Sequence, residues 1–143
     1  MLGKFIRTME YSGPGASIVH VETNAANGRN VYVDRDYRFG DLPAALEGAD
    51  WIQVTDGDQR YSAVDLIEMA VAAGTTVTVA HDPRAPVPGW LAKQFQPTAG
   101  TVTVNGQPMR LYARRADAEQ SLTLGSNNDA APRDANMYVV FVK

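Results

Sequence analysis

Apolar and polar side chains alternate in short runs along most of this chain, and turn-forming residues separate the runs. Ser17-Ile18-Val19-His20-Val21-Glu22 sets small or polar residues against apolar ones with a period of two, as a half-buried strand does. Thr75-Thr76-Val77-Thr78-Val79-Ala80 repeats the pattern with β-branched side chains, which fit a pleated surface. Val31-Tyr32-Val33, Trp51-Ile52-Gln53-Val54-Thr55 and Ser121-Leu122-Thr123-Leu124 are further short runs of this kind. Thr101-Val102-Thr103-Val104 leads into Asn105-Gly106, a pair that tolerates positive φ and so predicts a tight hairpin returning through residues 109–114. The closing run Met137-Tyr138-Val139-Val140-Phe141-Val142 is apolar on both faces, as a central strand must be. Roughly seven to nine short strands at this spacing predict an all-β fold: a two-layer, mostly antiparallel, jelly-roll-like β-sandwich.

Two stretches have helical character. Residues 42–48 predict one helical turn, with Asp41 as cap and Gly48 as stop. Residues 62–73 have a helix-forming composition, yet Ile67, Met69 and Val71 fall on one side of a strand and Leu66, Glu68 and Ala70 on the other. We read this segment as a strand forming a hairpin with 75–80 through Ala73-Gly74. The first fifteen residues end in Ser12-Gly13-Pro14-Gly15 and read as an N-terminal extension or linker, leaving 16–143 as one sandwich domain.

Composition narrows the chemistry. A chain of 143 residues is long enough to bury a sizeable core without a metal or disulfide, and there are no cysteines to supply one. A net charge of −3 with no block of like charge argues against a nucleic-acid partner. No apolar run has the length of a membrane helix, so no membrane partner is expected. Met1-Leu2-Gly3-Lys4 has no signal-peptide core, which fits either a cytosolic chain or a mature or excised piece with a new Met1.

Three segments, taken in order, carry a resemblance. The first is Val31-Tyr32-Val33-Asp34-Arg35-Asp36-Tyr37 with Leu42-Pro43 and Leu46-Glu47-Gly48-Ala49. The second is Val77-Thr78-Val79-Ala80-His81-Asp82-Pro83-Arg84 followed by Trp90-Leu91. The third is Leu111-Tyr112, Leu122-Thr123-Leu124-Gly125 and Met137-Tyr138-Val139-Val140. Over residues 28–143 the chain resembles a non-catalytic β-sandwich module appended to secreted bacterial polysaccharide lyases, glycoside hydrolases and related carbohydrate-active enzymes. The resemblance implies an extracellular accessory domain, a covalently linked catalytic domain, and a role as a carbohydrate-binding module; it also supports the strand at 66–71. Where members of that group carry an Asn-Asp-Asp-Lys type of turn, this chain has Thr55-Asp56-Gly57-Asp58-Gln59-Arg60, and its loop with Pro83, Pro86 and Pro88 is richer in proline.

Few residues suit catalysis. Imidazole comes only from His20 and His81, and neighbouring strand residues such as His81 and Asp82 point to opposite faces. A glycosidase needs two facing carboxylates. Asp34, Asp36, Asp56, Asp58 and Asp82 all sit in turns or at strand ends, where Asp bonds its own backbone. Asp56-Gly57-Asp58 resembles a fragment of a calcium loop and marks Asp56 and Asp58 as candidate ligands of a structural Ca²⁺. A sugar site wants exposed aromatic planes beside polar groups. Trp90, Arg84, Tyr37, Tyr61 and Asp82 are the candidates, expected to converge at one end of the sandwich, with Trp90 and Arg84 side by side. The plainer reading has Trp90 folded back over the end of the sandwich, and Trp51 in the core.

The expected function is therefore a non-catalytic module that binds a polysaccharide or oligosaccharide. The alternative is a structural or assembly domain in which 137–142 and Phe5-Ile6 pair across chains in self-association.

Overall fold

The closing β-branched run sits in the middle of the larger of two sheets. The computed structural model describes residues 2–127 and 134–143, so Met1 lies outside the described residues. The strands are β1 (Ile6–Tyr11), β2 (His20–Glu22), β3 (Phe39–Gly40), β4 (Asp50–Gln53), β5 (Ile67–Val71), β6 (Thr75–His81), β7 (Gln96–Val104), β8 (Gln107–Ala116), β9 (Gln120–Leu124) and β10 (Val139–Val142). They form a three-stranded sheet, β1-β5-β9, and a seven-stranded sheet, β2-β4-β10-β6-β8-β7-β3. Every pairing is antiparallel. The expected all-β, antiparallel sandwich is what the structure shows.

β10 is apolar on both faces because both are covered. Val140 and Val142 lie opposite Val79 and Val77 in the register, and these alternate positions face the small sheet. Phe141, one position out of phase, pairs with Trp51, and Phe39 packs edge-on against Trp51 and tilted against Phe141, each at 5.4 Å between centroids. On this second face the segment 23–49 closes over the sheet. Its buried Val31 and Tyr32 are tied down by Trp51 Nε1 donating to the Val31 carbonyl and Tyr32 Oη donating to the Met137 carbonyl.

The hairpin at Asn105-Gly106 forms as expected, with φ of 51° and 79°. Three other expectations are corrected. The segment expected to be an extension or linker over 1–15 holds β1 at 6–11, paired with β5 with one register shift between Ile6 and Thr8. The reason is Asp50, fully buried, whose carboxylate accepts N–H bonds from Lys4, Phe5 and Ile6 at 3.1, 2.7 and 2.9 Å. The segment at 67–71 is a strand, but it does not pair with 75–81: Ala73-Gly74, with Gly74 at φ +78°, carries the chain from the small sheet to the large one. Apolar Ile67, Met69 and Val71 thereby face the core across from β6. Val31-Tyr32-Val33 forms no strand; its N–H groups go singly to Tyr37 and Val54 carbonyls.

Short helices fill the ends. Ala44–Leu46 and Asp56–Arg60 are 3-10 turns, the first led by Pro43 with no side-chain cap, so Asp41 does not cap it. After the prolines, α1 (Gly89–Gln94) places Leu91 in the core and ends at Phe95. The approach to β10 is held by side chains in place of a ladder. The N–H groups of Asn136, Met137 and Tyr138 donate in turn to Asp82, Asp56 and Asn127 at 2.8, 2.8 and 3.2 Å.

Candidate functional site

The loop from Asp82 to Pro88 separates two clefts. The larger, about 550 Å³, is lined by Ser62, Ala63 and Val64 on one wall and Pro88, Gly89 and Trp90 on the other, with Gly125 and Ser126 at its base. The smaller, about 320 Å³, takes Tyr37, Arg84, Asp134 and Asn136 together with the hairpin tip at Val104, Asn105, Gly106 and Gln107.

Trp90 is half-buried. Its Nε1 donates to the Ser126 carbonyl at 2.8 Å, and its ring meets Tyr138 and Phe95 edge-on at 5.1 and 6.3 Å. Gly125 has to be small here, because an added Cβ would lie 2.6 Å from Trp90 Cδ1. The walls are joined by Ser126 N–H donating to the Ala63 carbonyl, and Tyr138 Oη donates to the Gly125 carbonyl. Trp90 thus both covers the end of the core and lines a cleft. Around it Val64 and Val87 are exposed at 89% and 46%. Tyr61, also exposed, precedes the wall residue Ser62.

The expected pairing of Trp90 with Arg84 is corrected. Helix α1 turns the indole inward to Ser126, while Arg84, three residues after the buried end of β6, faces the other cleft. Tyr37 and Arg84 do come together there, and Tyr37 packs edge-on against buried Tyr32 at 6.1 Å. Asp82, the remaining candidate of this loop, is fully buried beneath Arg84. Its carboxylate accepts Arg84 Nε at 3.1 Å, Nη2 at 2.7 Å and the Arg84 backbone N–H at 2.9 Å, besides Asn136 N–H. Burial opposes its charge, but these bonds outweigh burial and hold the carboxyl below its ordinary range.

Asp56 and Asp58 are directed to separate partners. Asp56 Oδ1 accepts Met137 N–H, and Asp58 Oδ2 accepts Tyr11 Oη at 2.6 Å and Gly15 N–H at 3.0 Å. Burial pushes Asp56 up, against the pull of Met137 N–H and Arg35. Among the described residues no three His, Cys, Asp or Glu side chains gather as metal ligands. The sequence reading missed the polar wall of the smaller cleft. Asn136, Asp134 and Gln107 belong to no motif, and Asn105 was legible only as a turn residue.

No protein-family model matches the sequence. A curated protein described as a beta-glucuronidase, from Formosa agariphila, is 29% identical over 141 residues, which cover 98% of this chain and 14% of that protein. A solved structure of a beta-glucuronidase from glycoside hydrolase family 2 aligns with a TM-score of 0.91 at 29% identity, over 97% of this chain and 14% of its own. Among the enzyme classes in the expected resemblance, these findings bring in the glycoside hydrolases. Among the described residues no helix is long and apolar enough to cross a membrane. The chain is homologous to a small part of a family 2 glycoside hydrolase, spanning about one seventh of the relatives it matches.

Proposed function

We propose that this chain is a non-catalytic β-sandwich module that works outside the cell beside a linked glycoside hydrolase catalytic domain and holds a polysaccharide or oligosaccharide in the Trp90 cleft. Trp90 is the observation that carries this reading. An indole fixed by Ser126, Tyr138 and Phe95 is a stacking plane already in position, so little side-chain freedom is lost on binding. Ser62 is small and a Cβ at Gly89 would meet nothing within 4 Å, which leaves room for a ring to approach it, and 550 Å³ lies within the usual range for a small-ligand site. Two features favour an accessory role over a catalytic one. The relatives are about seven times longer than the matched segment. The carboxylates of Asp56, Asp58 and Asp82 are already bonded within the fold.

The exposed Val64 and Val87 beside the cleft favour a second reading, in which this end packs against a neighbouring domain of the same polypeptide. Assembly through β10 is not favoured, since β4 and β6 occupy both its edges; Ile6 likewise pairs with Val71 inside the chain.

Affinity electrophoresis in gels containing soluble polysaccharides separates the readings. The chain should be retarded by at least one glycan. Trp90→Ala should weaken that binding by about 1–3 kcal/mol, the range for truncating an anchor. Trp90→Phe, which keeps the edge contacts, should lose less and guards against a folding defect. No retardation on a broad glycan panel, or equal retardation of chain and Trp90→Ala variant, would overturn the proposal.

A further inference from the structure

We infer that the smaller cleft is a second, separate sugar subsite and that it selects uncharged sugars over uronates. Only the choice of a sugar as ligand rests on the carbohydrate-binding reading; the location and the charge selectivity rest on the cleft itself.

The first argument is hydrogen-bonding capacity. The cleft walls carry the amides of Asn105, Gln107 and Asn136, the phenol of Tyr37, the guanidinium of Arg84 and the carboxylate of Asp134. Asn136 is 4% exposed, yet it lines the cleft. Among the described residues its side-chain amide finds only the Met109 Sδ, at 4.0 Å. A buried amide with so weak a partner has donor and acceptor capacity to spare, and burial makes that capacity costly to leave unused. A ligand with several hydroxyls, each donor and acceptor, meets it. Half-buried Tyr37, steadied edge-on by Tyr32, offers an aromatic surface beside it.

The second argument is charge. Arg84 turns Nε and Nη2 onto Asp82, and its Nη1 lies 3.5 Å from Asp134. Its positive charge is matched twice, and the Nε/Nη2 edge of the guanidinium, one of the two that can grip a carboxylate in a two-pronged contact, is taken by Asp82. What remains are N–H donors suited to hydroxyls. A uronate entering the cleft would meet the Asp134 carboxylate, with no uncompensated cation among the described lining residues to offset it. The 320 Å³ volume is of the size that takes one sugar ring.

The test is an amide chemical-shift titration of the whole chain with methyl β-glucoside and, separately, methyl β-glucuronide, two probes that differ in charge. The glucoside should shift the signals of Asn105, Gly106, Gln107 and Asn136 saturably, and the glucuronide should bind at least tenfold more weakly. Asp134→Asn should narrow that gap, and Trp90→Ala should leave the response at 105–107 unchanged. The absence of saturable shifts at these amides with the glucoside overturns the proposal, as does equal or tighter binding of the glucuronide. Shifts confined to Trp90 and Gly125 would remove this subsite and leave the Trp90 reading standing. Shifts confined to 105–107 and 136 would do the reverse.

Discussion

His81 and Asp82 are neighbours in sequence with opposite electrostatic fates. Burial lowers the His81 pKa below its usual 6.5, against the pull of Asp82 and the Pro86 carbonyl, and Nε2 of the 1% exposed ring has no partner among the described residues. A base with a depressed folded-state pKa takes up its proton more readily in the unfolded chain. Its contribution to stability is therefore intact above about pH 6.5 and is lost as pH falls below that value. His20 runs the other way: burial tends to lower it, but the Ile18 carbonyl and Glu22 outweigh burial and raise its pKa, so it adds stability as pH falls. The informative quantity is accordingly the difference between wild type and His81→Gln. Between pH 7.5 and 5.5 the melting temperature of the wild type should fall further than that of the variant, by about 2–4 °C for each kcal/mol of His81 penalty. Parallel thermal melts across that range check it, and identical pH slopes would rule it out.

At the scale of elements, the N-terminal strand shows how one buried carboxylate decides a segment's fate. Nothing in Ile6-Arg7-Thr8-Met9-Glu10-Tyr11 separates a strand from an extended tail, since only its two ends are buried. Asp50 supplies the difference by accepting three consecutive N–H groups from 4–6. Gly3 permits the approach, because a Cβ there would fall on that carboxylate. Asp50→Ala should cost about 3 kcal/mol, given that each bond to a charged acceptor is worth roughly 1.5–3 kcal/mol and that the freed N–H groups are partly reachable by water. A chain starting at residue 16 should be destabilised at least as much, since it also loses buried Ile6 and Tyr11. Urea unfolding of both variants measures this, and midpoints equal to wild type would restore the linker reading.

Across the whole molecule, the two tryptophans report on opposite faces of the large sheet. Trp51 lies under the 23–49 segment, and Trp90 lies at the small-sheet side beside Tyr138. The residues leading into β10 are bonded to Asp82, Asp56 and Asn127, which come from three different parts of the chain. With its last strand central and tied to so many loops, the sandwich should unfold in one step. Fluorescence of Trp90→Phe, which reports Trp51 alone, should give the same midpoint in urea as far-UV circular dichroism of that variant. Two separated transitions would show that the 23–49 cover opens independently.

Local pattern was enough to determine the fold class and most strands, because period-two alternation and the Asn105-Gly106 turn act over a few residues. The buried setting of β10 was legible in its two apolar faces for the same reason. Partner choice was not legible, because pairing joins segments far apart in sequence: β5 lies beside β1 and β9 although β6 follows it directly. The candidate site divided along the same line. Its loop and its aromatic and charged residues were readable one by one. That α1 would turn Trp90 toward Ser126, that Asp82 would be buried beneath Arg84, and that Asn136 would line a cleft with the hairpin tip were decided by tertiary packing. Each depends on where a distant backbone places its carbonyls and N–H groups, and side-chain chemistry alone carries no record of that.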